Sequence, residues 1–190
     1  NNPFNQMDNS LLEVHDNNGQ IAPNDATGGD CIVFTYDSDT NVDADGDPNG
    51  VLDNGDIMGF KLVNNAIQMR RSGDVQANAT HDSCVNGNDD WQNMTDPGII
   101  TISTLNFALD NSVCINNREP DGIDNDNANG IDDPDEADCY VQPPANGSGQ
   151  NTVETRAVRI TLTGALSNDP LTSMTLVQEV RVRNDYVRVW

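Results

Sequence analysis

The chain is short of cations, aromatics and histidine. Its 190 residues carry nine Lys and Arg against 31 Asp and Glu, a formal net charge of −22. A surface of that sign is repelled by phosphate backbones and anionic membranes, which rules against both as direct partners. Aromatics are 5% and hydrophobic residues 35% of the chain, so the core must occupy a limited part of it. No apolar run approaches the roughly 18 residues of a membrane-crossing helix. There is no CxxC pair, no histidine at zinc spacing, no GxSxG elbow and no glycine-rich phosphate loop. The two histidines, His15 and His81, sit in polar contexts without a neighbouring nucleophile. A general acid needs a pKa raised by apolar burial, and the crowded carboxylates here suggest no such setting. The chain reads as non-enzymatic.

Carboxylates are what it has, and they are unevenly placed. Sixteen of the 31 lie in two segments, residues 37–56 and 119–138. So many close charges repel one another, and bound cations are the simplest relief; the plain alternative is a pair of solvated acidic loops. In the first segment, a twelve-residue frame from Asp45 puts Asp45, Asp47, Asn49, Asp53 and Asp56 at positions 1, 3, 5, 9 and 12. Gly50 falls where a calcium loop turns sharply, and the Val51 carbonyl falls at position 7. A hard cation such as Ca2+ takes six to eight oxygens at about 2.3–2.6 Å, and this spacing can wrap them around one centre. Asp43 is a nearby substitute ligand.

The second segment is less regular. A frame from Asn125 places Gly130 at position 6, Asp133 at 9 and Glu136 at 12. A frame from Asp124 gives stronger first ligands but displaces the glycine. The candidate ligands are Asp124, Asp126, Asn129, Asp133 and Glu136, again for Ca2+.

Cys31, Cys84, Cys114 and Cys139 form an even set, which favours two disulfides in an oxidising compartment. Of three possible connectivities, Cys31–Cys84 with Cys114–Cys139 is preferred, because the second bridge then closes off the second acidic segment. Loops of that size gain roughly 3 kcal/mol from such a closure.

Between the polar segments lie runs of β-formers. Strands are expected at 31–36, 57–63 and 66–71, the last two forming a hairpin about Asn64-Asn65, and at 99–109, 153–162 and 175–189. The turn cluster Ser167-Asn168-Asp169-Pro170 makes the two C-terminal runs antiparallel neighbours. Helix is expected only as a turn or two in 4–14 and one near 133–137. Trp91 reads as a core aromatic rather than a sugar-stacking residue.

The order of these motifs resembles a family. Cys31-Ile-Val-Phe-Thr-Tyr-Asp37, an acidic loop, Met58-Gly-Phe-Lys-Leu62 and Ala66-Ile-Gln-Met-Arg70 are similar to the PilW/GspJ-like minor pilins and pseudopilins. Cys84, Trp91-Gln-Asn-Met-Thr-Asp96, the strand at 99–107, Arg159-Ile-Thr-Leu-Thr-Gly164 and Val180-Arg-Val-Arg-Asn-Asp185 continue that order. The likeness spans most of residues 31–185 and is strongest to minor pilins of the mannose-sensitive haemagglutinin (MSHA) type.

It implies a type IV pilus subunit of a Gram-negative bacterium, partnered by other pilins and located at the inner membrane, periplasm and pilus surface. It also implies an N-terminal hydrophobic helix, which these residues do not contain; a soluble domain cut free of that helix is expected. The expected fold is a single α+β pilin-like domain over 1–190, mainly antiparallel sheet with little helix and long acidic calcium-binding loops. The alternative is a secreted calcium-dependent adhesion or carbohydrate-binding β module.

Overall fold

A computed structural model describes residues 12–16, 19–20, 26–35, 56–72, 84, 90–120, 122–124, 130–182 and 186–190. Twelve strands are described: β1 (Leu12–Asp16), β2 (Gly19–Gln20), β3 (Cys31–Thr35), β4 (Ile57–Val63), β5 (Ala66–Ser72), β6 (Asp90–Asn93), β7 (Ile100–Ala108), β8 (Val113–Asn116), β9 (Asn151–Thr155), β10 (Ala157–Leu166), β11 (Asp169–Arg181) and β12 (Tyr186–Val189). One helix, α1 (Pro134–Ala137), lies between β8 and β9.

The strands make a six-stranded sheet in the order β2-β1-β3-β4-β5-β6 and two three-stranded sheets, β11-β10-β7 and β12-β9-β8. Every described pairing is antiparallel. The α+β pilin class expected from the sequence is therefore corrected: the described residues form a mostly antiparallel, sandwich-like β fold with four helical residues. The helix expected in 4–14 fails where it can be checked. Val14 is 1% exposed and sits opposite Ile32, so the end of that segment is bound into a sheet as β1. A β-branched residue with a cross-strand apolar partner gains more there than in a short isolated helix.

Most local expectations hold. Asn64 and Asn65 take φ of 50° and 64°, the left-handed pair that a two-residue β4–β5 hairpin requires. Both C-terminal runs, however, are split. Arg156 separates β9 from β10, and β11 ends at Arg181 before β12 begins at Tyr186. The amide of Val182 donates to the Arg156 carbonyl at 2.8 Å, so both runs leave one small sheet for the other side by side.

The core follows from alternation. Ile32 joins Val14, Leu105, Phe107, Leu109 and Val158 in one buried cluster. Its neighbours Cys31 and Val33 point the other way, into a second cluster with Ile57 and Cys84, against which Trp91 packs. β3 is thus covered on both faces, which explains its unbroken apolar sequence. Trp91 stands as expected, a core aromatic, with Lys61 Nζ 4.0 Å from its ring centre.

Two glycines allow close approach. A Cβ on Gly59 would lie 2.6 Å from the Ile32 carbonyl oxygen, and one on Gly28 (φ +66°) 2.5 Å from that of Phe107. Beside Gly28, Gly29 and Phe107 exchange backbone hydrogen bonds of 2.8 and 2.7 Å, joining the approach to β3 to strand β7. The disulfides are Cys31–Cys84 and Cys114–Cys139, the preferred pairing.

The β12-β9-β8 sheet reverses the usual sidedness. Val113, Ile115, Val187 and Val189 are at least half exposed, whereas Cys114, Asn116, Thr152 and Glu154 are buried. Register places the apolar four on one face and the polar four on the other. The inner side of this unit is polar: Trp190 Nε1 donates to Thr152 Oγ1 at 3.0 Å, and Arg188 lies 3.5 Å from Glu154.

Candidate functional site

Five of the six ligands expected in the first acidic segment, Asp45, Asp47, Asn49, Val51 and Asp53, lie outside the described residues, as does Asp43. The sixth, Asp56, is 2% exposed and immediately precedes β4. Thr35 at the end of β3 faces Ile57 at the start of β4, so the chain leaves and re-enters the sheet at one point. Among the described residues, strands β3 and β4 bracket the motif.

The second acidic segment is better defined. It begins just after β8, and the Cys114–Cys139 bridge ties its far end to that strand. Asp133 caps α1: its Oδ1 accepts from the Asp135 amide at 2.7 Å, and Glu136 Oε2 accepts from the Asp133 amide at 3.1 Å. This reciprocal capping box, with Pro134 in the first turn, is what folds so short a helix. It also turns Glu136 inward, where 1% of the residue is exposed. On the other side, the Gly122 amide donates to Asp132 Oδ1 at 2.8 Å, with Gly122 at φ +83° and Asp132 at φ +56°.

Together these turns gather Glu119, Asp132 and Glu136, with one carboxylate oxygen of each within 4.8 Å of the others. Two oxygens bound to one Ca2+ are separated by at most about 4.6–5.2 Å, twice the usual bond length. The spacing therefore fits ligands of a shared calcium ion. Two more oxygens in the segment, Asp124 Oδ1 and Asp133 Oδ2, are buried without a hydrogen-bond partner. Uncompensated buried carboxylate oxygens are costly, and a cation is a natural partner for them.

Of the ligands expected here, only Glu136 belongs to the three-carboxylate group. Asp124 and Asp133 are close in sequence with one orphaned oxygen each; Asp126 and Asn129 fall outside the described residues. Sequence reasoning missed Glu119 and Asp132. Neither twelve-residue frame includes Glu119, which lies upstream, and the Asn125 frame puts Asp132 at position 8, between the ligand positions. The signal that was present is Cys114: a bridge from β8 to Cys139 returns the end of the segment to its beginning, where Glu119 sits.

Two other features bear on chemistry. His15 Nε2 is 3.2 Å from Glu13 Oε2, two residues away on the same face of β1; His81 is outside the described residues. Tyr140 has its pKa pushed up to about 12, chiefly by burial and then by the Glu154 carboxylate to which it hydrogen-bonds. No helix among the described residues is long and apolar enough to cross a membrane.

No curated protein and no solved structure matches the chain significantly. The family model described as prepilin peptidase-dependent protein B matches residues 2–182. That range takes in both disulfides, the hairpin sheet and the three-carboxylate cluster, and the two disulfides agree with an extracytoplasmic setting. The chain belongs to the prepilin peptidase-dependent protein B family, whose members are associated with type IV pili.

Proposed function

We propose that this chain is the extracytoplasmic domain of a non-enzymatic minor pilin of the MSHA-like kind, which assembles with other pilin subunits to prime a type IV pilus or to sit at its tip. The observation that carries this reading is the family match over residues 2–182. The test is deletion of the encoding gene in the native host, with surface pili counted by electron microscopy. Loss of pili, restored by the wild-type gene, is expected; unchanged pilus number and unchanged surface attachment together overturn the reading.

Ca2+ is the proposed structural ligand of the domain. Glu119, Asp132 and Glu136 hold it in the second segment, and Asp45, Asp47, Asn49, Val51, Asp53 and Asp56 in the first. Bound there, the ion neutralises crowded carboxylates and fixes the β3–β4 connection and the α1 turn, so that the surfaces next to them keep one shape. At about 100 times its dissociation constant it adds roughly 2.7 kcal/mol to the folded state. A melting temperature that is identical in excess Ca2+ and in chelator removes calcium from this account while leaving the pilus role intact.

A further inference from the structure

β11 is the edge strand of the β11-β10-β7 sheet, and among the described residues no strand pairs with its outer side. All thirteen of its residues are exposed. From Ser173 to Arg181 it runs in regular register against Ala165 to Ala157 of β10; the irregularity lies before Ser173. That regular edge spans roughly 30 Å at about 3.4 Å per residue.

Edges of this length are ordinarily blocked by charge, proline or a bulge, because their outward N–H and C=O groups otherwise template another strand. Here Ser173 to Gln178 contains no charge and no proline. It presents Met174 (74% exposed), Leu176 (52%) and Val177 (58%) instead. We propose that this edge pairs with the same edge of a second copy of the chain, antiparallel about a two-fold axis at Val177.

Charge selects both the partner and the register. Residues 139–190 hold five Arg and four acids, whereas 27 of the 31 acids precede them. The ribbon is thus the flank on which an equally acidic copy meets least repulsion. In a two-fold antiparallel pair, opposed residues sum to a constant, and side chains stay on matching faces only when that sum is even. An axis at Glu179 sets two carboxylates face to face. An axis at Val177 uses the whole Ser173–Arg181 run. It opposes Met174 to Val180 and Leu176 to Gln178, and sets Glu179 against Thr175 and Arg181 against Ser173. No like charges meet, and the two three-stranded sheets become one of six.

The test is sedimentation of the unaltered chain across its soluble concentration range, together with oxidative cross-linking of single-cysteine variants. The four native cysteines are all bridged, so an added thiol stands alone. A reversible dimer is expected, with Val177→Cys forming a linked dimer and Thr175→Cys, offset from its own copy, forming little. Val177→Lys puts two ammonium groups together at the axis and returns the chain to monomer with its melting temperature retained. A chain that stays monomeric at every concentration overturns the proposal. So do equal cross-linking of both variants, and occupation of this edge only by a different pilus protein.

Discussion

The β1-to-β7 sandwich and the unit built on Cys114–Cys139 are stabilised by opposite means. The first buries Val14, Ile32, Leu105 and Phe107 against one another. The second turns Val113, Ile115, Val187 and Val189 outward and buries Thr152, Glu154, Asn116 and Glu136. Apolar area stabilises the sandwich without a specific partner. A polar interior contributes only when every group is satisfied, so the second unit depends on its bridge, its cap and, on the reading above, its ion. The sandwich also carries a bridge, Cys31–Cys84, but sets it within an apolar core, so loss of that bridge removes a smaller share of what holds the sandwich together.

Substitutions can break this contrast in order of size. Phe107→Ala removes a ring that is 3% exposed from the larger cluster, and should cost about 3–5 kcal/mol, unfolding both regions together in a denaturant titration. Replacing Cys114 and Cys139 together by Ser should cost about 3 kcal/mol. Here hydrogen exchange should show β8, β9 and α1 losing protection before β3 and β7 do. Equal loss in all strands would mean that the two regions are one cooperative unit.

Glu136→Gln keeps the size of the buried side chain and removes its charge. It should reduce the gain in melting temperature on adding Ca2+ while leaving the metal-free melt close to that of the unaltered chain. A full calcium response in this variant would confine binding to the first segment.

The smallest effect concerns pH. Tyr140 titrates near 10 when unfolded and near 12 when folded. Between those values the folded state keeps a proton that the unfolded state loses, so stability falls as pH rises through that window. Tyr140→Phe should flatten the fall between pH 10 and 12; an unaltered slope would place its cause elsewhere.

How much of this was legible in the sequence depended on whether local chemistry matched a local rule. The Asn64-Asn65 hairpin was legible because few residues accept two successive positive φ values. The α1 turn was legible from Pro134, which suits a first-turn position. The disulfide pairing followed from asking which bridge would close an acidic loop. The division of the two C-terminal runs was not legible: Arg156 interrupts β9 and β10 with neither glycine nor proline, and only the sheet to which each half pairs distinguishes them. The outward apolar face of the β8 sheet was missed because the four residues of β8 were not read as a strand. Glu119 and Asp132 escaped because metal ligands need only converge in space, and a fixed frame of twelve looks for them in one order.

The crossing at Arg156 and Val182 bears on load. Where β9 continues into β10, the chain that leaves β11 passes alongside it and is joined to it by the hydrogen bond from Val182 to Arg156. With the link from β7 to β8, whose Ser112 hydroxyl bonds to both the carbonyl and the amide of Ala157, the polar unit is tethered to the sandwich by three neighbouring crossings. Tension applied to either part is shared among these three crossings, and the paired length of β10 and β11 resists it in shear.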